Sequence, residues 1–201
     1  MTTQIAKQVG AETAPPSTEI QEIDLPAQID VFDKTFPFTP SHIPKTQVLE
    51  MIQLYLPTIS RATSLCDIFL TSLSWMFQIV SRQQIVDGII PMVYKPRTFL
   101  PVPPAYGPHD LALLLIVLAL GALLDPNLPP YNTEAQRYYR LARAALCLQN
   151  VLVQRSVATV KTLHLMSVYN GMSGVESNLE NCYSFLNFAG QVALQVSSQI
   201  S

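Results

Sequence analysis

The stretch LALLLIVLALGALL, Leu111 to Leu124, is the most apolar run of the chain, and its reading decides the fold. It is 14 residues long, bounded by Asp110 and Asp125 and by Pro108 and Pro126. Crossing a bilayer core takes about 20 apolar residues. The flanking prolines prevent a smooth lengthening of the helix. The run therefore predicts a helix buried on all sides in a globular core, not a membrane span.

The composition agrees with that reading. Of 201 residues, 49% are hydrophobic and only 13% are charged, and the mean hydropathy is +0.25. Such a chain is too apolar to be disordered throughout. A net charge of −2 gives no basic footprint for nucleic acid. One or at most two domains fit the length. Cys66, Cys147 and Cys182 are too few for a disulfide scaffold and are expected as small buried side chains in a reducing compartment. Met1 to Gly10 has one lysine and no apolar run, so no secretory leader is expected.

Outward from the apolar run, the pattern is helical in both directions. All sixteen prolines lie at or before Pro130, which suits uninterrupted helices afterwards. Asn132 or Thr133 caps a helix to about Gln149, with Tyr138, Leu141, Ala142, Ala145 and Leu148 inward. Ser156 opens another, which Asn170-Gly171 is expected to end. Ser177 to Glu180 reads as the capping box of a last helix. Upstream, Val48, Met51, Ile52 and Tyr55 mark a helix that Pro57 stops. Asp67 is positioned to cap a second one that turns Phe69, Leu73, Met76 and Phe77 inward, and Ser81 to Gln84 fits a capping box before a third. The fold class predicted is all-α, an array of antiparallel helix pairs. Residues 41–196 form the helical domain, and 197–201 are a tail.

Residues 1–40 differ in composition. They carry six acids, two lysines and five prolines without sustained periodicity, which predicts a mostly disordered acidic arm. Its isolated apolar residues, such as Ile23, Leu25, Val31 and Phe32, are available to dock on something.

Catalytic constellations are poor. His42, His109 and His164 have no partner at metal-ligand spacing, and the cysteines form no CxxC. There is no phosphate-binding glycine loop. No catalytic residue, metal ligand or cofactor-binding residue is therefore assigned, and no enzyme is expected. His164 on an apolar face is expected as a hydrogen-bonded core histidine. Trp75 is expected in the core, or else lining a ligand pocket. One feature points to a partner: Arg137, Arg140 and Arg143 repeat at spacing three, with Arg155 nearby. The stripe either meets an acidic partner, including the chain's own acidic arm, or is the solvated charged face that many helices carry.

Four stretches carry a family resemblance: SWMFQIVSRQQIVDGIIPMVY (Ser74 to Tyr94), HDLALLLIVLALGALLD (His109 to Asp125), PPYNTEAQRYYRLARAALCL (Pro129 to Leu148) and VATVKTLHLMSVYNGMSG (Val157 to Gly174). In this order they resemble the middle homology region of fungal binuclear zinc-cluster transcription factors. The resemblance implies a helical regulatory domain that acts in DNA-templated transcription, in the nucleus, through protein partners or self-association and a possible small-molecule inducer. It also implies that zinc and DNA are held by a separate six-cysteine module, which no residues here match. The divergence after Leu194 suggests a fragment. The alternative is a truncated helical scaffold or dominant-negative protein that binds a full-length regulator.

Overall fold

The computed structural model describes residues 23–73, 75–76, 78–95, 106–130, 132–174 and 178–200. Every regular element among them is helical, as expected. The helices are α1 (Ala27–Lys34), α2 (Lys45–Leu54), α3 (Ile59–Leu73), α4 (Ile90–Val93), α5 (Pro108–Leu123), α6 (Thr133–Cys147), α7 (Val157–Met172) and α8 (Asn178–Ile200), with a π-helical turn at Gln83–Ile89 leading into α4.

Helix α5 is the axle of the fold. Leu111 through Ala122 are buried without interruption. Neighbours surround the helix: α6 along one side, α3 and α7 on others, and the π-turn at a fourth contact. No helix among the described residues is long and apolar enough to cross a membrane. Helix α3 approaches closely at Gly121, where any side chain would run into the backbone of Leu65. The sequence neighbours α5–α6 and α7–α8 form the two most extensive pairs, antiparallel because their connectors are short.

Caps set the register of the downstream pairs. The Asn132 carboxamide oxygen accepts the Ala135 N–H at 2.8 Å, and its NH₂ donates to the Ala122 carbonyl at 2.8 Å. One side chain thus starts α6 and ties it to the end of α5. Ser156 and Thr159 cap each other's backbone N–H groups at the start of α7. The Thr159 hydroxyl also meets His109 Nδ1 at 2.7 Å, which holds the N-terminus of α5 against α7.

Several sequence expectations need correction. Residues 23–40 are not a disordered arm but part of the fold: α1 packs on α6 and contacts α2, with Ile29 and Phe32 fully buried. Residues 1–22 of that arm lie outside the described residues. Helix α3 starts at Ile59, not at Asp67, with the Thr58 hydroxyl accepting from Arg61 N–H. Asp67 instead pairs with Arg82. Trp75 and Met76 are exposed rather than inward; the Trp75 indole N–H donates to the Ser72 carbonyl at 2.8 Å. Phe77 lies outside the described residues. Ser81 accepts the Gln84 N–H as expected, but the segment that follows winds as a π-helix. Pro91 has no N–H to give and its ring crowds the carbonyl four residues back, so a wider turn relieves both conflicts. Helix α7 runs past Asn170-Gly171 to Met172. The Asn170 NH₂ donates to the Met166 carbonyl within the helix, and Gly174, at φ 69°, supplies the left-handed residue. Finally, α8 absorbs most of the expected tail through Ile200, with Ser197 and Ser198 bonding back to Ala193 and Gln195. Ser177 lies outside the described residues.

The candidate interaction face of α6

Arg140 and Arg143 project from α6 onto α1. Each nitrogen of the Arg140 guanidinium is engaged: Nε donates to Asp33 Oδ2 at 2.8 Å, Nη1 to the Ile23 carbonyl at 2.8 Å, and Nη2 to Asp30 Oδ1. Arg143 Nη2 donates to the Asp33 carbonyl at 2.9 Å. That carbonyl lies in the last turn of α1 and has no partner within the helix, so the arginine acts as a C-terminal cap. Arg143 Nε and Asp33 Oδ1 stand 3.3 Å apart as an ion pair, but their geometry makes no hydrogen bond. The Asp33 side chain is only 7% exposed, against 22% for Arg140 and 28% for Arg143.

Apolar contacts run alongside the charges. Ile29 and Phe32 are inaccessible to solvent, and each such burial contributes about 1.5–3 kcal/mol. Phe36, one turn past Phe32, sits under the Arg143 guanidinium at 5.6 Å from its ring centre. Phe36 also meets Phe185 and Phe188 of α8 at 5.4 and 6.4 Å. Two acids and the Phe36 ring thus face one pair of arginines, while Ile29 and Phe32 of the same segment are buried.

Of the three stripe residues, the structure brings Arg140 and Arg143 together on the chain's own acidic segment. The solvated-face reading is corrected for these two. Arg137 makes no ion pair with α1 among the described residues; its guanidinium lies 5.7 Å from the Tyr138 ring centre. Arg155 is elsewhere, in a recess at the start of α7 that also includes His109, Gln149 and Ser156. Sequence reasoning did not single out Asp30, Asp33 and Phe36. Their signal was present: Asp30 and Asp33 repeat at the arginines' own spacing of three, beside Ile29, Phe32 and Phe36 at i, i+3, i+7.

A second ionic cluster is a clamp. Arg61 of α3 grips both Glu134 oxygens, at 3.3 and 2.7 Å, and Asp125 Oδ2 at 2.9 Å. It fastens α3 to the start of α6 and to the turn after α5. The Asn127 backbone N–H, and after it Arg61, holds the Asp125 carboxyl below its ordinary value of 3.8. The folded chain therefore binds fewer protons there than the unfolded chain, and stability is lost as pH falls from about 4 through the depressed value. Asp125→Asn should destabilise the chain at neutral pH. The gap to wild type should shrink below pH of about 4, as urea denaturation across pH will show. A constant gap would mean that the carboxylate charge is not what the clamp uses.

No group of three or more His, Cys, Asp or Glu side chains able to hold a metal occurs among the described residues. Cys66 and Cys147 are free and buried, their thiols pushed up to about 12 by desolvation, which makes them poor nucleophiles at neutral pH. His109 is buried between Thr159 Oγ1 and the Gln149 carbonyl, and burial lowers its pKa. His164 is half-buried, and desolvation lowers its pKa too.

The geometry describes a helical core whose α6 arginines, Arg140 and Arg143, hold the acidic helix α1. Residues 67–199 match the family described as the fungal specific transcription factor domain. No curated protein and no solved structure matches the chain. The matched span begins inside α3 and takes in α5, α6, α7 and nearly all of α8, and all four quoted stretches fall within it. Two thirds of the residues and most of the packing core, though not the buried residues of α1, α2 and the first half of α3, fall within the match, and the chain belongs to the fungal specific transcription factor domain family.

Proposed function

We propose that the chain is the regulatory domain of a fungal zinc-cluster transcription factor. It acts in the nucleus on DNA-templated transcription through protein contacts rather than catalysis. DNA and zinc would be held by a separate module, since none of its residues forms a cysteine cluster. The observation that carries this reading is the family match across the α5–α8 core, which includes the arginine face. The test fuses the chain to a heterologous DNA-binding module and measures reporter output. A shift in basal or induced output, reduced by Arg140→Glu, is expected. An unchanged output from a folded, nuclear fusion would overturn the proposal.

A second reading is a helical protein that binds a full-length regulator. What favours it is the exposed apolar series Leu179, Tyr183, Leu186 and Leu194 along α8. Co-purification with full-length members of the family would support it, and a monomer that recovers none of them would count against it.

A further inference from the structure

We propose that the arginine face of α6 is a docking surface for an acidic amphipathic helix of a partner protein, with α1 as its exchangeable occupant in cis. This deepens the partner reading above, but its test is a binding measurement independent of transcription.

The bound α1 displays the recognition chemistry. The sequence Ile29-Asp-Val-Phe-Asp33 places two apolar side chains in the groove and two carboxylates on Arg140. The occupant and the surface also differ in kind. Helix α6 lies within the family-matched span of 67–199, while α1 precedes it. The contact thus joins a segment before the matched span to a face inside it, across 107 to 117 residues of sequence.

Three features make α1 exchangeable. It has eight residues and no side-chain cap at its start. An isolated helix in water needs about 12–15 residues to be even marginally stable, so α1 holds its shape only while docked. Its ion pairs are partly open to solvent and hence to competition. A tethered occupant acts at an effective concentration on the order of millimolar, which a partner helix must exceed by fitting better.

The face leaves room for a better fit. Along α6, Arg140 meets Ile23, Asp30 and Asp33, and Arg143 meets Asp33 and Phe36, so the two helices advance in the same direction. Arg137 therefore lies towards the start of α1, one turn before Asp30, where the occupant offers Pro26 and Ala27 instead of an acid. The Nε atoms of Arg137 and Arg143 make no hydrogen bond. The partner that fits is a helix with acids on three consecutive turns beside an Ile/Phe-type ridge, a pattern that α1 fulfils on two turns.

The test uses the full chain and fluorescently labelled peptides of residues 23–38, read by anisotropy. In one chain variant, Ile29→Ala with Phe32→Ala loosens the occupant. The peptide is expected to bind this variant at least tenfold more tightly than wild type. Arg140→Glu in the loosened chain should weaken binding at least tenfold, and a peptide carrying Asp30→Arg and Asp33→Arg should regain it. An Ala27→Glu peptide should bind several-fold better than the native one, with the gain lost in Arg137→Gln. Circular dichroism checks that each variant is folded. The proposal is overturned by no binding to a folded, loosened chain, or by binding indifferent to Arg140 charge. An Ala27→Glu gain that persists in Arg137→Gln overturns it as well. A loosened chain that dimerises instead of binding peptide would assign the face to a second copy and overturn it too.

Discussion

Gly121→Ala is expected to destabilise the chain by about 3 kcal/mol, more than a methyl added at Gly88, Gly107, Gly171 or Gly190, where the space is wider. A Cβ at Gly121 would stand 2.2 Å from the Leu65 carbonyl oxygen and 2.8 Å from its carbon. Those atoms are backbone, so no rotamer change clears them; α3 itself has to move. The surroundings oppose that movement, because Ala62, Leu65, Cys66 and Phe69 are all buried on this face of α3 and Arg61 pins the same helix to Asp125 and Glu134. Overpacking a tight core costs about 1–3 kcal/mol and more where backbone must shift. The better helix propensity of alanine returns about 1 kcal/mol. Gly190 of α8 is the internal control: an added Cβ there meets nothing within 4 Å. Gly190→Ala should therefore leave stability unchanged or raise it by up to about 1 kcal/mol. Urea denaturation of the two variants reads both numbers. Equal behaviour of the two would refute the close α3–α5 approach.

The burial of α5 was legible from Leu111–Leu124 because an uninterrupted apolar run of that length has few other places to go. The caps at Asn132 and Ser156 were legible because a side-chain oxygen before a periodic segment satisfies free N–H groups locally, whatever packs around it. The features missed are those decided by tertiary contact. The repeat of Ile29, Phe32 and Phe36 spans only about two turns, too short to hold a helix by itself, and α1 is helical because it docks on α6 with Ile29 and Phe32 buried. For α3, Thr58 and Asp67 are both good caps, and only the packing of Ala62, Leu65 and Cys66 on α5 selects the earlier start. Spacing put three arginines on one side of α6 but did not say what covers them. The acids that engage two of them, Arg140 and Arg143, lie more than 100 residues away in sequence. The family itself was legible from the four quoted stretches, which belong to the matched span.

Arg140→Ala is expected to cost about 2–3 kcal/mol and Asp33→Ala less, about 1–2 kcal/mol, with the two effects coupled. The asymmetry follows from burial. Removing Arg140 strands the Asp33 carboxylate, which is 7% exposed and keeps only the bent Arg143 contact and no hydrogen bond to its charge. Removing Asp33 leaves two guanidinium groups, 22% and 28% exposed, with a short path to water. Breaking a fully buried pair costs about 3–5 kcal/mol, and the partial exposure of the arginines trims that range. A double-mutant cycle should give a coupling of about 1–2 kcal/mol that declines as salt is raised, since solvent reaches one side of the pair. The loss also has a ceiling. Once α1 docks more weakly than the rest of the fold holds together, it detaches alone, and further damage no longer registers in global unfolding. Hydrogen exchange separates the regimes. In Arg140→Ala the α1 amides, bonded as Asp30 N–H to the Pro26 carbonyl and Thr35 N–H to the Val31 carbonyl, should lose protection while those of α5 keep theirs. Equal loss in both helices would make α1 an integral part of the core rather than a separable occupant of the α6 face.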